Sequence, residues 1–189
     1  MFDDIELKKI LKKSIEDFYE KDYYLVKKNL HEQSETHRIA HYLENNVQEY
    51  LKIKDYSIDV EYNKTNETAK ELYKECENCT KKCICNHKPS QYTGRPDIIF
   101  HIRGKNGIDN NLLVVEAKKN SDIGNDNKKL AYLTCEKAKY EYQLGACIVL
   151  REEQVTITYF KNHIEEKTRI GKFDKGWGIL WQEEKLRGN

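Results

Sequence analysis

No stretch of this 189-residue chain is apolar for more than a strand's length, so nothing in it approaches the roughly twenty residues that a membrane-spanning helix requires. Glycine (nine residues), proline (two) and methionine (one) are scarce, which excludes collagen-like and low-complexity chains. No glycine-rich loop able to cradle a phosphate is present. Charge of one sign is lacking too. The 33 Lys and Arg against 32 Asp and Glu leave a net charge of +1, too little for a tight nonspecific grip on nucleic acid, which is largely electrostatic. The excess is local: from Ala117 to Tyr140, six lysines stand against three acidic residues. The start, Met1-Phe2-Asp3-Asp4, is acidic and lacks the apolar core of a secretory leader, which points to a cytoplasmic chain with reduced thiols. With 38% hydrophobic and 34% charged residues, residues 1–189 suit a single domain with a real core and a soluble surface.

What the chain does have is two strand-like segments carrying charged groups. Gly94-Arg95-Pro96-Asp97-Ile98-Ile99-Phe100 is followed by Leu112-Leu113-Val114-Val115-Glu116-Ala117-Lys118. Leu112 to Val115 is apolar without alternation, as in a strand buried on both faces. Glu116 and Lys118 lie two apart at its end and therefore face the same way. Charged groups there are costly to bury alone, so they need partners or water, and Asp97 is the nearest acidic candidate. Two ordinary strands closed by a salt bridge would read the same way.

Pro96-Asp97 and Glu116-Ala117-Lys118 resemble the "PD" and "ExK" of the PD-(D/E)xK phosphodiesterase superfamily, over roughly residues 30 to 160. That resemblance implies a metal-dependent nuclease, with DNA the expected substrate. Asp97 and Glu116 would hold Mg²⁺ or Mn²⁺, and Lys118 would orient the attacking water or contact the scissile phosphate. Lys119 should point to the opposite face and be structural or solvent-exposed. The resemblance also implies a metal-holding glutamate on the preceding helix, where Glu35 lies on the edge of the apolar stripe Ile39, Leu43, Val47. Glu32 and Glu44 are weaker alternatives, and a first-turn glutamate can simply complement the helix dipole. Lys128, Lys129, Tyr132 and Thr134 are further polar candidates on the following helix. His37 and His41 have a chelating spacing but read more simply as a polar helix face. A non-catalytic nucleic-acid-binding or assembly module on the same fold is the competing reading, and a homodimer is compatible with either.

Four of the six cysteines fall within Cys76-x-x-Cys79-x-x-x-Cys83-x-Cys85-x-His87. Core packing does not call for that density. Four of these five side chains would complete a tetrahedral zinc site in a reducing compartment. Two disulfides or an iron–sulfur cluster are the alternatives. The knot belongs to an insertion, residues 63–93, between the first two expected strands. A metal would order this polar stretch, and its lysines could meet a phosphate backbone.

The remaining pattern predicts helices over Asp4 to about Tyr24, from an N-cap at Ser34 to about Leu51, and from Asp126 or Asn127 to about Tyr142, where Gly145 closes the last. Strands are expected at Ser57 to Tyr62, Asp97 to Arg103, Leu112 to Ala117, Ala146 to Leu150 and Val155 to Phe160. Trp177 and Trp181 should pack the tail down. An N-terminal helix followed by α-β-β-β-α-β-β is an α/β plan with a mixed sheet flanked by helices, the core order of the restriction-endonuclease-like fold that the resemblance implies.

Overall fold

A computed structural model describes residues 3–53, 55–61, 64–65, 68–69, 95–119, 123–136 and 140–182. Helix α1 (Asp4–Lys27) starts where the Asp3 carboxylate accepts the Ile5 N–H at 3.0 Å, satisfying one orphan donor of the first turn. Leu7, Ile10, Leu11, Ile15 and Phe18 form its buried stripe. Helix α2 (Glu32–Tyr50) buries Ile39, Leu43 and Val47 as the periodicity predicts. It begins two residues before the expected cap: His31 is the N-cap, and Ser34 sits inside the first turn. Between the two helices, buried Asn46 donates to Ser14 Oγ (3.1 Å) and Asp17 Oδ2 (3.0 Å). This satisfies polar groups that would otherwise be costly in the core.

The sheet has seven strands among the described residues. They are β1 (Ser57–Val60), β4 (Ile98–His101), β5 (Asn111–Lys118), β6 (Leu144–Leu150), β7 (Gln154–Lys161), β8 (Ile164–Asp174) and β9 (Gly178–Trp181), in that spatial order. A two-stranded ribbon, β2 (Lys64–Thr65) with β3 (Thr68–Ala69), stands apart. Only β5 and β6 are parallel, and helix α3 (Gly124–Leu133) lies between them in the chain. Parallel neighbours require such a crossover. Residues of alternating parity divide the core. Phe100, Val115, Ala146 and Ile157 pack with α1 and α2, whereas Ile99, Val114, Cys147 and Phe160 pack with α3. The expected α/β class and mixed, helix-flanked sheet are therefore present.

Several features differ from expectation, and the main ones have a physical reason. Helix α3 stops at Leu133 because the chain turns back there, with the Tyr142 N–H donating to the Leu133 carbonyl at 2.8 Å. Tyr140 and Tyr142 prolong the apolar pattern but enter the α3-side core from the connecting segment. Gly145 is a strand residue, not a helix terminator: a Cβ there would meet Thr134 Cγ2 at 3.0 Å and Phe160 Cβ at 3.2 Å. The sheet also continues through β8 and β9, and this brings Trp181 against the core while Trp177 stays 82% exposed. The cysteine-rich segment containing Cys76, Cys79, Cys83, Cys85 and His87 lies outside the described residues. No helix is long and apolar enough to cross a membrane among the described residues.

Candidate functional site

The antiparallel ladder pairs Ile98 with Val115. Continuing that register one step sets Asp97 opposite Glu116, and directly opposed side chains on one sheet face are neighbours. Pro96 precedes the strand, where its missing N–H does no harm. Asp97 Oδ2 instead accepts the Ala117 N–H at 2.8 Å, which fastens the carboxylate to the end of β5. Glu116 and Lys118 share the α3 face with it, as their spacing predicts. Asp97, Glu116 and Lys118 thus gather at one end of the β4–β5 pair.

Helix α3 completes this cluster. The Lys129 ammonium forms an ion pair with Glu116 Oε1 at 2.6 Å and donates to the Arg95 carbonyl at 2.8 Å. Asp126 Oδ2 lies 4.0 Å from Lys118 Nζ. Asp126, Lys129, Leu130 and Leu133 follow helical spacing, so α3 turns one face to the sheet. That spacing is the signal that separates Lys129 from its neighbour Lys128, and it would also have found Asp126.

Glu35 goes elsewhere. Its carboxylate is 1% exposed and lies 3.3 Å from Lys119 Nζ, and no contact with Asp97 or Glu116 is found among the described residues. The helix α2 carboxylate that reaches the cluster is Glu32, one turn earlier, whose Oε1 accepts from Lys118 Nζ at 3.1 Å. Lys119 does point to the opposite face from Lys118, but it is the counter-ion of a buried glutamate and only partly exposed. Glu44, His37 and His41 are exposed on the far side of α2. Tyr132 and Thr134 are buried, and the Thr134 hydroxyl bonds back to the Leu130 carbonyl at 2.9 Å.

The electrostatics follow from this placement. Burial pushes the Glu116 carboxyl up to about 8, against the attraction of Lys129 and with the repulsion of Asp97. Asp97 is likewise raised by burial, although the Ala117 N–H and the charges of Lys118 and Lys129 oppose the shift. Burial alone would lower Lys118, but the Glu32 hydrogen bond and the charges of Asp126 and Asp97 outweigh it, so its ammonium is stabilised to about 12. Lys118 is therefore a fixed cation and not a proton acceptor near neutral pH. Cys147, paired with Glu116 across β6, is pushed up to about 12 by burial and by Asp126 and Glu116, which leaves it an unreactive thiol. Away from this cluster, burial also raises Glu35, with Lys119 opposing.

No group of three or more His, Cys, Asp or Glu side chains disposed to hold a metal ion occurs among the described residues. Two carboxylates are nevertheless enough for Mg²⁺, which keeps several of its waters and is held by one or two carboxylates in many sites. Glu116 Oε1 is the atom of the cluster that such a cation would meet. It is buried and faces the partly exposed Asp97, and a cation held there would have to share it with the Lys129 ammonium 2.6 Å away. A hard divalent cation between the two would remove the repulsion that raises both carboxyls. Comparisons of the chain with family models, with curated proteins and with solved structures find no match.

Proposed function

We propose that the protein is a metal-dependent nuclease of the PD-(D/E)xK type, with DNA as substrate and the Asp97–Glu116–Lys118 face as its catalytic centre. The observation that carries the reading is the register of β4 on β5, which sets the partly exposed Asp97 carboxylate opposite the buried Glu116 carboxylate with a lysine on the same face. The succession α2-β1-β4-β5-α3-β6-β7, interrupted only by the small β2–β3 ribbon among the described residues, supports it because it follows the α-β-β-β-α-β-β order of that fold.

In this reading Asp97 and Glu116 hold the cation. Mg²⁺ or Mn²⁺ bound there would acidify a water and neutralise phosphate charge. Lys118, kept protonated by Glu32 and Asp126, positions the water or meets the scissile phosphate as a fixed positive charge. Lys129 balances Glu116 from the helix side and helps to fix its orientation. Glu35 supports β5 through Lys119 and holds no metal. The cysteine knot, read from the sequence as a zinc site, would supply a further contact with nucleic acid, and the domain acts in the cytoplasm.

The test is cleavage of supercoiled plasmid and of linear single strands by the purified chain with Mg²⁺, Mn²⁺ or EDTA. Asp97→Ala and Glu116→Ala should abolish metal-dependent cleavage, and Lys118→Ala should slow it on the order of a hundredfold or more, as loss of a positioned charged donor does. Undiminished cleavage by Lys118→Ala removes the assignment. Binding of nucleic acid with no cleavage under any metal would instead establish the non-catalytic module.

A further inference from the structure

Lys129 is 8% exposed, and a lysine is almost never buried that far unless a partner neutralises it. Two groups hold its ammonium. Glu116 Oε1 lies 2.6 Å away, and the Arg95 carbonyl accepts at 2.8 Å. Glu116 is one of the two carboxylates that the nuclease reading assigns to a divalent cation. An ammonium therefore already stands at the oxygen which that cation would meet. The other lysine of the cluster does not compete there: Lys118 is drawn off by Glu32 at 3.1 Å and lies 4.0 Å from Asp126. Four acidic side chains, Glu32, Asp97, Glu116 and Asp126, thus surround two ammoniums. The cluster as a whole draws cations, while at Glu116 Oε1 one cation is in the way of another.

The surroundings of Lys129 allow it to yield. Its helix is anchored by Leu130 and Leu133, both fully buried, so the ammonium can leave Glu116 by rotation of its flexible stem while α3 stays in place. The Arg95 carbonyl, on an exposed residue, is a second acceptor that remains when Glu116 is given up. The reverse case explains why the lysine is there at all. Glu116 is 2% exposed, and a buried carboxylate stripped of every counter-ion is strongly destabilising.

We propose that Lys129 is the resident counter-ion of the metal site. Its ammonium holds Glu116 Oε1 while no divalent ion is bound and yields that oxygen when one binds. Lys129 thereby sets how tightly the site takes metal. The proposal rests on the nuclease reading for the cation itself and adds the competitor that regulates its entry. A lysine that merely braced α3 against β5 would act in the opposite sense. Its loss would loosen the carboxylates and weaken metal binding.

Mn²⁺ is the probe, because the free hydrated ion gives a paramagnetic resonance signal that the bound ion loses. The site is counted as the binding that disappears in Glu116→Gln, which leaves out metal held elsewhere in the chain. Lys129→Met, close to the lysine stem in shape but uncharged, should bind Mn²⁺ at that site about tenfold or more tighter than the parent chain, since a like charge beside the ion is removed. Lys129→Arg keeps the charge and should bind no tighter than the parent. In EDTA the melting temperature of Lys129→Met should fall, and Mn²⁺ should raise it more than it raises that of the parent. Should Lys129→Met be unfolded in EDTA, recovery of its melting transition with Mn²⁺ supports the proposal and failure to recover overturns it. A site detected in Lys129→Met and not in the parent also supports it. Equal or weaker Mn²⁺ binding by Lys129→Met overturns the proposal while the parent's own site keeps the nuclease reading standing, and tighter binding by Lys129→Arg overturns it as well. Absence of the site from both the parent and Lys129→Met overturns the proposal and the nuclease reading together.

Discussion

Replacing Glu116 with glutamine should stabilise the metal-free protein at neutral pH and leave it unchanged in acid. The side chain is 2% exposed, and burial, opposed by Lys129 and reinforced by Asp97, lifts its carboxyl from an ordinary 4.5 to about 8. A carboxyl raised in the folded state costs nothing below pH 4.5, where folded and unfolded chains are both protonated. Above that, the unfolded chain releases its proton while the folded chain retains it, so stability falls until the pH passes the folded value. Between 4.5 and pH 7, at about 1.4 kcal/mol per pH unit, the cost is on the order of 3 kcal/mol. Glutamine has nearly the same shape and no charge to release, so Glu116→Gln escapes that cost. Urea unfolding of both proteins in EDTA at pH 4 and pH 7 measures it, since contributions from other groups cancel in the difference between variants. Near pH 4 the two should unfold at similar urea concentrations, and near pH 7 the variant should resist longer. Added Mg²⁺ should raise the midpoint of the parent protein at pH 7 much more than that of the variant. A stability difference that does not change with pH would refute the picture of a desolvated, repelled carboxylate and weaken the case for a cation between Asp97 and Glu116.

Elemental analysis should find about one zinc per chain, released by acid or strong chelators, since the ligands of the cysteine knot are thiolates; visible absorption of a brown protein would overturn zinc in favour of an iron–sulfur cluster. Changing Cys76 and Cys79 together to serine should leave the circular-dichroism signal of the sheet intact while weakening nucleic-acid binding, and complete unfolding would refute the reading of residues 63–93 as an insertion. Asp59 accepts from His101 Nε2 at 2.9 Å and from Arg103 Nε at 2.9 Å, which together hold its carboxyl far below the usual range despite burial. Asp59→Asn should therefore destabilise the β1–β4 edge by about 1–3 kcal/mol above pH 4, with a deficit that shrinks as the pH falls below 3.8; a deficit that persists undiminished in strong acid would refute it.

The parts of the fold that were legible in the sequence are those where one residue type recurs with one period. Leu112 to Val115 reads as a strand buried on both sides because it is covered on both, by α1 and α2 on one face and by α3 on the other. The common face of Glu116 and Lys118 follows from the strand period alone. Strand β8 escaped because its segment, Ile164–Asp174, is crowded with charge and only partly buried, so no clean alternation marks it. The end of α3 was missed because Tyr140 and Tyr142 continue an apolar pattern after the helical backbone has stopped: burial is set by where a side chain arrives, and two tyrosines on a returning segment can fill the same core as a fourth helical turn. The choice between Glu32 and Glu35 turns on a similar point. Both lie in the first turn of α2, and apolar periodicity favours Glu35 as the residue nearer the core stripe. That nearness takes Glu35 to Lys119 on the α1–α2 side of the sheet, whereas Glu32, closer to the helix end and to solvent, can reach around to Lys118. A stripe identifies which residues are buried; which charged partner each one meets depends on the register of β5 against α2, and the alternation of Lys118 and Lys119 across the strand is what separates the two glutamates.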